Sequence, residues 1–309
     1  MLTNTRVAWF NGKIVPEGQV VIPYRDRSWK SGDGCFDMTR TFEGAPFRLK
    51  EHVDRLYRSL RYLRIDPGLS PREMIAVSED VVARNEHLRE LYGDWWLGQR
   101  ISRGVDAVGD EGWEHTGPNV VVDITPLPLK ARATQYRDGA EVVTTTMRRT
   151  APGMLSPRAK MNNYLNMIVA EQPIKAQNPA AWGLLLDENG NLAEGQGSNI
   201  FVVQDGRLRT PRERYVLPGV SRQMTMDLAR TLGIPCEEAD IDLYDAANAD
   251  EMFLTSTSTC ILPVRSFNGQ VVGGTVWSGA GPVTKRLTAA YIEAVGCDFV
   301  KQYLDRIPS

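Results

Sequence analysis

The sequence predicts a mixed α+β / α/β fold in two domains, and three observations carry that prediction. The chain has 309 residues, above the roughly 100–150 typical of a single domain, so one large core or two medium ones are expected. Apolar runs of strand length alternate with stretches whose apolar residues recur at three- and four-residue spacing. The segment 125–135 contains Pro126 and Pro128 and shows little periodicity, which marks it as a linker. The expected division is a small N-terminal α+β domain over 1–124, the linker over 125–135, and a larger α/β domain over 136–309.

Residues 6–24 read as short strands around an Asn11-Gly12 turn, and residues 35–42 as a further strand ending at Glu43-Gly44. Leu49, Val53, Leu56, Leu60 and Leu63 then line one face of a helix that ends before Pro67. Ser70-Pro71, with Glu73 three residues after the serine, opens a second helix expected to reach about Tyr92. Apolar runs at 95–101 and 120–124 return to strand. Beyond the linker, strands at 141–147, 182–187 and 200–203 alternate with helices near 162–172, 221–232 and 282–295. Asn189-Gly190 and Asp205-Gly206 each sit between apolar runs, as hairpin turns do.

Composition narrows the function mainly by exclusion. Lys and Arg total 36 against 38 Asp and Glu, so the basic footprint of sequence-independent nucleic-acid binding is missing. The four cysteines are far apart with no CxxC pair, a pattern of reduced, cytoplasmic proteins. His52, His87 and His115 have no metal-ligand spacing, so no protein-bound metal is expected. The first residues lack a secretory signal pattern, and no run approaches the roughly 18 apolar residues of a membrane span.

Taken singly, the polar candidates are ordinary. Lys160 follows a Pro-containing loop and precedes an apolar helix, where a lysine is usually solvated. Glu194 lies in a Gly-rich turn. The stretch 217–222 ends in a helix start whose amides could receive an anion, or could be a plain cap. The hydroxyl-rich run 255–260 could donate to phosphate or simply turn, and Arg55 could lie along a helix surface.

Their order changes the reading. HVDRL (52–56), KMNNY (160–164), EGQGSN (194–199), LPGVSR (217–222), TST (255–257) followed by Pro263-Val264, and GPVTKR (281–286) occur in that sequence. Together they resemble the fold-type IV pyridoxal-phosphate (PLP) enzymes, over about residues 8–295. That family includes branched-chain aminotransferases, D-amino-acid aminotransferases, R-selective amine transaminases and aminodeoxychorismate lyase.

The resemblance implies PLP as cofactor and Lys160 as the Schiff-base lysine, a role that requires the amine to be partly desolvated or set among cations. It implies that Glu194 pairs with the pyridine nitrogen and that Tyr164 hydrogen-bonds the phenolic oxygen. It also implies that Arg55 holds the phosphate together with the Val220 and Ser221 amides and the Thr257 hydroxyl. Ser198, Asn199, Leu217 and Ser256 complete the implied cofactor set.

Substrate contacts are expected from Phe36, Met38 and Arg40, which alternate on one strand and so face one side, and from Trp96, Arg103 and Ser258. Phe36 and Arg40 resemble the branched-chain pattern, whereas Met38 replaces a glycine and should narrow the pocket. The Tyr-x-Arg pair of branched-chain enzymes is replaced by Trp96 and Gly98, with Arg100 and Arg103 falling later. Arg103 instead resembles the arginine-bearing strand end of D-amino-acid and lyase relatives, and Ser31 stands where some amine transaminases carry a histidine. The loop 105–115 is expected to help close the site.

The implied activity is transfer of an amino group from an amino acid or primary amine to a 2-keto acid by a homodimer. The expectation is an atypical branched-chain-like member with R-amine or D-amino-acid activity. A PLP lyase of the aminodeoxychorismate type is the alternative, and a non-enzymatic phosphate-binding scaffold is a third.

Overall fold

The structure, a computed structural model, describes residues 5–106 and 116–307. Most of the loop expected to close the site therefore lies outside the described residues. The chain divides into two compact units, Met1–Leu127 with Ala159–Asn163, and Pro128–Arg158 with Tyr164–Ser309.

The first unit contains β1 (Val7–Phe10), β2 (Lys13–Pro16), α1 (Arg27–Ser31), β3 (Gly34–Phe42), β4 (Ala45–Pro46), α2 (Leu49–Leu63), α3 (Pro71–Asn85), α4 (Arg89–Tyr92), β5 (Trp95–Ser102) and β6 (Val120–Pro126). Among the described residues these strands form one six-stranded sheet in the order β2-β1-β6-β5-β3-β4, with antiparallel pairings throughout. The Asn11-Gly12 and Glu43-Gly44 pairs adopt the positive φ values that tight two-residue hairpins need. α3 opens on a capping box, with Ser70 and Glu73 each satisfying the other's backbone N–H.

α2 and α3 pack on one face of this sheet, burying Val53, Leu56, Leu60, Met74 and Val81 against Leu97, Ile101, Val122 and Ile124. Each such side chain contributes roughly 1.5–3 kcal/mol relative to exposure. The period of two along β3 and β5 then fixes the faces. Asp37 and Gln99 turn toward the helices, while Phe36, Met38, Trp96 and Arg100 occupy the opposite face in paired register.

The second unit contains α5 (Leu129–Asp138), β7 (Ala140–Arg148), α6 (Leu165–Gln177), β8 (Trp182–Leu186), β9 (Glu194–Gly195), β10 (Ser198–Gln204), β11 (Arg207–Pro211), α7 (Val220–Thr231), β12 (Cys236–Ala239), α8 (Leu243–Ala247), β13 (Glu251–Ser256), β14 (Cys260–Phe267), β15 (Gln270–Val271), α9 (Pro282–Val295) and α10 (Phe299–Leu304). Its main path runs β12-β11-β10-β13-β14-β7-β8, with β9 on β10 and β15 on β14. Parallel pairings at β7–β8, β7–β14 and β11–β12 mix with antiparallel ones. The sheet core includes Val142, Leu184, Ile200, Val202, Leu254 and Leu262.

Several expectations are corrected. Within 6–24, only Val7–Phe10 and Lys13–Pro16 are strand, because a short 3-10 turn at Glu17–Gln19 follows Pro16. The helical stretch expected to reach Tyr92 does so in three pieces, α3 ending at Asn85, a 3-10 turn at Glu86–Leu88 and α4 at Arg89–Tyr92. The helix expected near 162–172 starts at Leu165 and continues to Gln177. Most of the expected linker is α5, and Ala159–Asn163 groups with the first unit rather than the larger second one. Among the described residues, no helix is long and apolar enough to cross a membrane.

Candidate active site

In the first unit, Lys160 is placed by backbone pairing along the outer edge of β3. Phe36 N donates to Lys160 O at 3.0 Å, Asn162 N donates to Gly34 O at 2.9 Å, and Cys35 bridges Met161 in antiparallel register. Lys160 N donates to Ser59 Oγ of α2 at 3.0 Å, and Asn162 Nδ2 to Ser28 Oγ of α1 at 2.8 Å. Gly34 makes this seat possible, since a Cβ there would lie 2.6 Å from Asn162 Nδ2 and 2.5 Å from Ile101 O. The Lys160 ammonium stands 4.5 Å from the centroid of the Phe36 ring.

Arg55 is buried on α2, where it donates to Asp37 from Nε at 2.8 Å and from Nη2 at 2.7 Å. His52 Nδ1 lies 2.7 Å from the same carboxylate. Burial alone would push the Asp37 carboxyl up, but the Arg55 charge and the His52 hydrogen bond outweigh it and hold the group well below the ordinary carboxylate range. Burial lowers His52 below its usual value despite Asp37, so the neutral imidazole donates from Nδ1. Sequence reasoning missed Asp37, although the alternation that sends Phe36 and Met38 to one face of β3 sends Asp37 to the other.

Three expected substrate residues have partners of their own within the protein. Arg103 donates from Nε to Asp33 at 2.7 Å, from Nη1 to Arg64 O at 3.1 Å and from Nη2 to Leu63 O at 2.8 Å, so it closes the C-terminal end of α2. Arg40 is buried with its guanidinium 3.9 Å from the Phe42 ring centroid and its Nε donating to Thr41 O. Ser258 is buried in the second unit, where its hydroxyl accepts from Arg132 and its carbonyl from Tyr303. Phe36, Met38 and Trp96 do share one sheet face.

In the second unit, Glu194 sits at the start of the β9–β10 hairpin, only 3% exposed. Its carboxylate accepts from Arg149 Nε at 2.9 Å, Leu217 N at 2.8 Å and Asn199 Nδ2 at 3.4 Å. A carboxylate has about four acceptor positions, so among the described residues one remains. Arg149 was missed because its one sequence cue is a place just after a predicted strand.

Asn199 also donates to Leu217 O at 3.1 Å, which ties the 217–219 loop to the hairpin. The loop leads into α7, whose N-cap Gly219 provides no side-chain cap. A Cβ at Gly219 would come 2.2 Å from Asn199 Oδ1, so only glycine allows this approach. The Val220 and Ser221 amides thus belong to an uncapped helix start, where orphan donors and the dipole favour an anion.

The Ser221 hydroxyl donates to Ser256 O at 3.0 Å, and the Ser256 hydroxyl turns back on Thr259 at 2.8 Å, so both brace the turn that carries Thr257. Ser198 Oγ is buried with no hydrogen-bond partner among the described residues. Tyr164 packs against Met167, Ala170 and Leu185 at the start of α6. No cluster of metal-binding type occurs among the described residues.

The family model of amino-transferase class IV matches residues 34–267. A provisionally assigned branched-chain-amino-acid aminotransferase of Methanocaldococcus jannaschii is 34% identical over 281 residues, covering 90% of this chain and 93% of that protein. The D-alanine aminotransferase of Bacillus licheniformis is 29% identical over 283 residues, covering 91% and 94%. Among solved structures, a branched-chain amino acid aminotransferase of T.th. complexed with N-(5'-phosphopyridoxyl)-L-glutamate superposes with a TM-score of 0.81 at 28% identity, covering 98% of this chain and 96% of that one. The chain belongs to the class IV aminotransferases, enzymes that use pyridoxal phosphate.

The second unit fits that cofactor on its own evidence. A buried carboxylate with one acceptor position left suits a protonated ring nitrogen, and the orphan Ser198 hydroxyl and an uncapped helix start suit a polar, anionic ligand.

Proposed function

We propose that this protein moves an amino group from an amino acid or a primary amine to a 2-keto acid, with Lys160 as the lysine that carries the cofactor. The observation that supports this most strongly is the frame in the second unit. Hydrogen bonds tie the buried Glu194 carboxylate to the loop that opens α7. In this reading Glu194 holds a proton on the pyridine nitrogen, Ser198, Asn199 and Leu217 support it, and the Tyr164 hydroxyl meets the phenolic oxygen. The Val220 and Ser221 amides, Thr257 and Arg55 hold the phosphate, with Ser256 bracing the turn.

Bound pyridoxal phosphate supplies an electron sink for the pair left when the donor Cα–H bond breaks. Lys160 Nζ takes that proton as general base and returns it as general acid. Phe36, Met38 and Trp96 shape the substrate side. The cycle is ping-pong, with the donor leaving as a ketone or keto acid before the second keto substrate enters.

The finer substrate reading is an atypical branched-chain-like enzyme with R-amine or D-amino-acid activity, since Trp96 and Gly98 stand where branched-chain enzymes carry Tyr-x-Arg. We place it in the cytoplasm as a homodimer. Leu165, Ile168 and Val169 support the dimer, because they leave one apolar face of α6 exposed for a second copy.

The test is a donor panel of both enantiomers of alanine and 1-phenylethylamine, with L-leucine and L-glutamate, followed by pyruvate or 2-oxoglutarate. Return of the cofactor's original absorption on adding the keto acid supports transamination. Release of pyruvate from aminodeoxychorismate without any acceptor would make the enzyme a lyase instead.

A further inference from the structure

The face of the first sheet that carries Phe36 also carries an arginine outside the family motifs. On β5, Trp96, Gly98 and Arg100 pair with Arg40, Met38 and Phe36 of β3. Arg100 is 48% exposed, with its guanidinium carbon 5.6 Å from the Phe36 ring centroid and Nη2 3.8 Å from Met38 Sδ. Lys160 stands over the same ring at 4.5 Å, and the two distances together bound the separation of the cations at about 10 Å.

The same face explains why the arginine is not at position 98. A Cβ on Gly98 would lie 2.9 Å from Asp123 Oδ1 and 3.1 Å from Met38 Sδ, so these two groups already fill the space a side chain would need. Asp123 is half a partner for Arg100. Its Oδ1 lies 3.4 Å from Arg100 Nε, and that buried oxygen makes no hydrogen bond among the described residues. Among the described residues the guanidinium is therefore held at one edge by Asp123 and meets the Met38 sulfur at another.

We propose that Arg100 binds a substrate carboxylate in this protein, from a site on β5 two residues beyond the position filled by Asp123 and Met38. The proposal rests on Lys160 being the cofactor-linking residue, because Phe36 joins the two. Guanidinium and carboxylate match edge to edge in a charge-assisted pair. The span from Lys160 suits either the carboxylate attached to the reacting carbon or the distal one of a dicarboxylic acid.

The test uses the holoenzyme and its Arg100→Gln and Arg100→Lys forms. Binding of glutarate and of 4-methylvalerate is measured by calorimetry, and single-turnover half-reactions are followed with alanine, glutamate and 1-phenylethylamine. Arg100→Gln should weaken carboxylate binding at least tenfold, with Arg100→Lys recovering part of it. In the half-reactions the loss should fall at least tenfold more heavily on glutamate than on 1-phenylethylamine. Loss with alanine and glutamate alike assigns the carboxylate on the reacting carbon, and loss with glutamate and glutarate alone assigns the distal one. Carboxylate binding unchanged within twofold in Arg100→Gln overturns the proposal. A wild-type protein whose cofactor absorption responds to no donor would instead fault the functional reading, while the calorimetry still decides Arg100.

Discussion

Arg55 is buried with its charge already matched by Asp37, so any use of it toward a phosphate depends on a partner that the HVDRL motif does not contain. Breaking a buried pair strands a charge, so Asp37→Asn should cost about 3–5 kcal/mol in urea denaturation. An unchanged midpoint would mean that the pair carries no net stability. The folded Asp37 carboxyl is held below its unfolded value, so its contribution is fully present above about pH 4 and drains away as pH falls further. Asp37→Asn should accordingly flatten the acid limb of the stability curve. On the proposed reading, Arg55→Ala should weaken cofactor binding by about 1.5–3 kcal/mol in a fluorescence titration, and unchanged affinity would return Arg55 to a structural role. The motif residues were legible because their types and order are distinctive. Their partners Asp37 and Arg149 were not, because a salt bridge between positions 37 and 55 leaves no local pattern.

Elements with strong periodicity or turn chemistry were readable from the chain alone. α2 buries Leu49, Val53, Leu56 and Leu60 at the expected spacing, α9 has the expected ends, and the Asn11-Gly12 hairpin forms as its φ preferences dictate. α5 was hidden because it buries only Leu129 and Ala133, so no apolar stripe announces it. The seat of Lys160 was hidden for another reason, since residues 160–162 find residues 34–36 by backbone pairing across more than a hundred positions. Gly34→Ala tests that seat. Its Cβ would press on the Ile101 carbonyl and on Asn162, so a loss of about 1–3 kcal/mol is expected. Wild-type stability and cofactor loading in this variant would show that the strand edge yields freely.

For the whole molecule, the chain divides into two compact units, and Ala159–Asn163 departs from the simple N-terminal and C-terminal division expected from length and prolines, taking Lys160 with it. A homodimer should give a mass by light scattering of twice the chain's 34.5 kDa, and a charge such as Ile168→Glu on the exposed α6 face should shift it toward one chain. A monomeric wild type would remove the dimer from the proposal. The central claim is that Lys160 carries the cofactor, and the most direct measurement is borohydride reduction of the holoenzyme followed by peptide mass spectrometry. The reduced cofactor is expected on the peptide containing Lys160, and none in Lys160→Ala. An adduct on a different lysine, or full loading of Lys160→Ala, would contradict it.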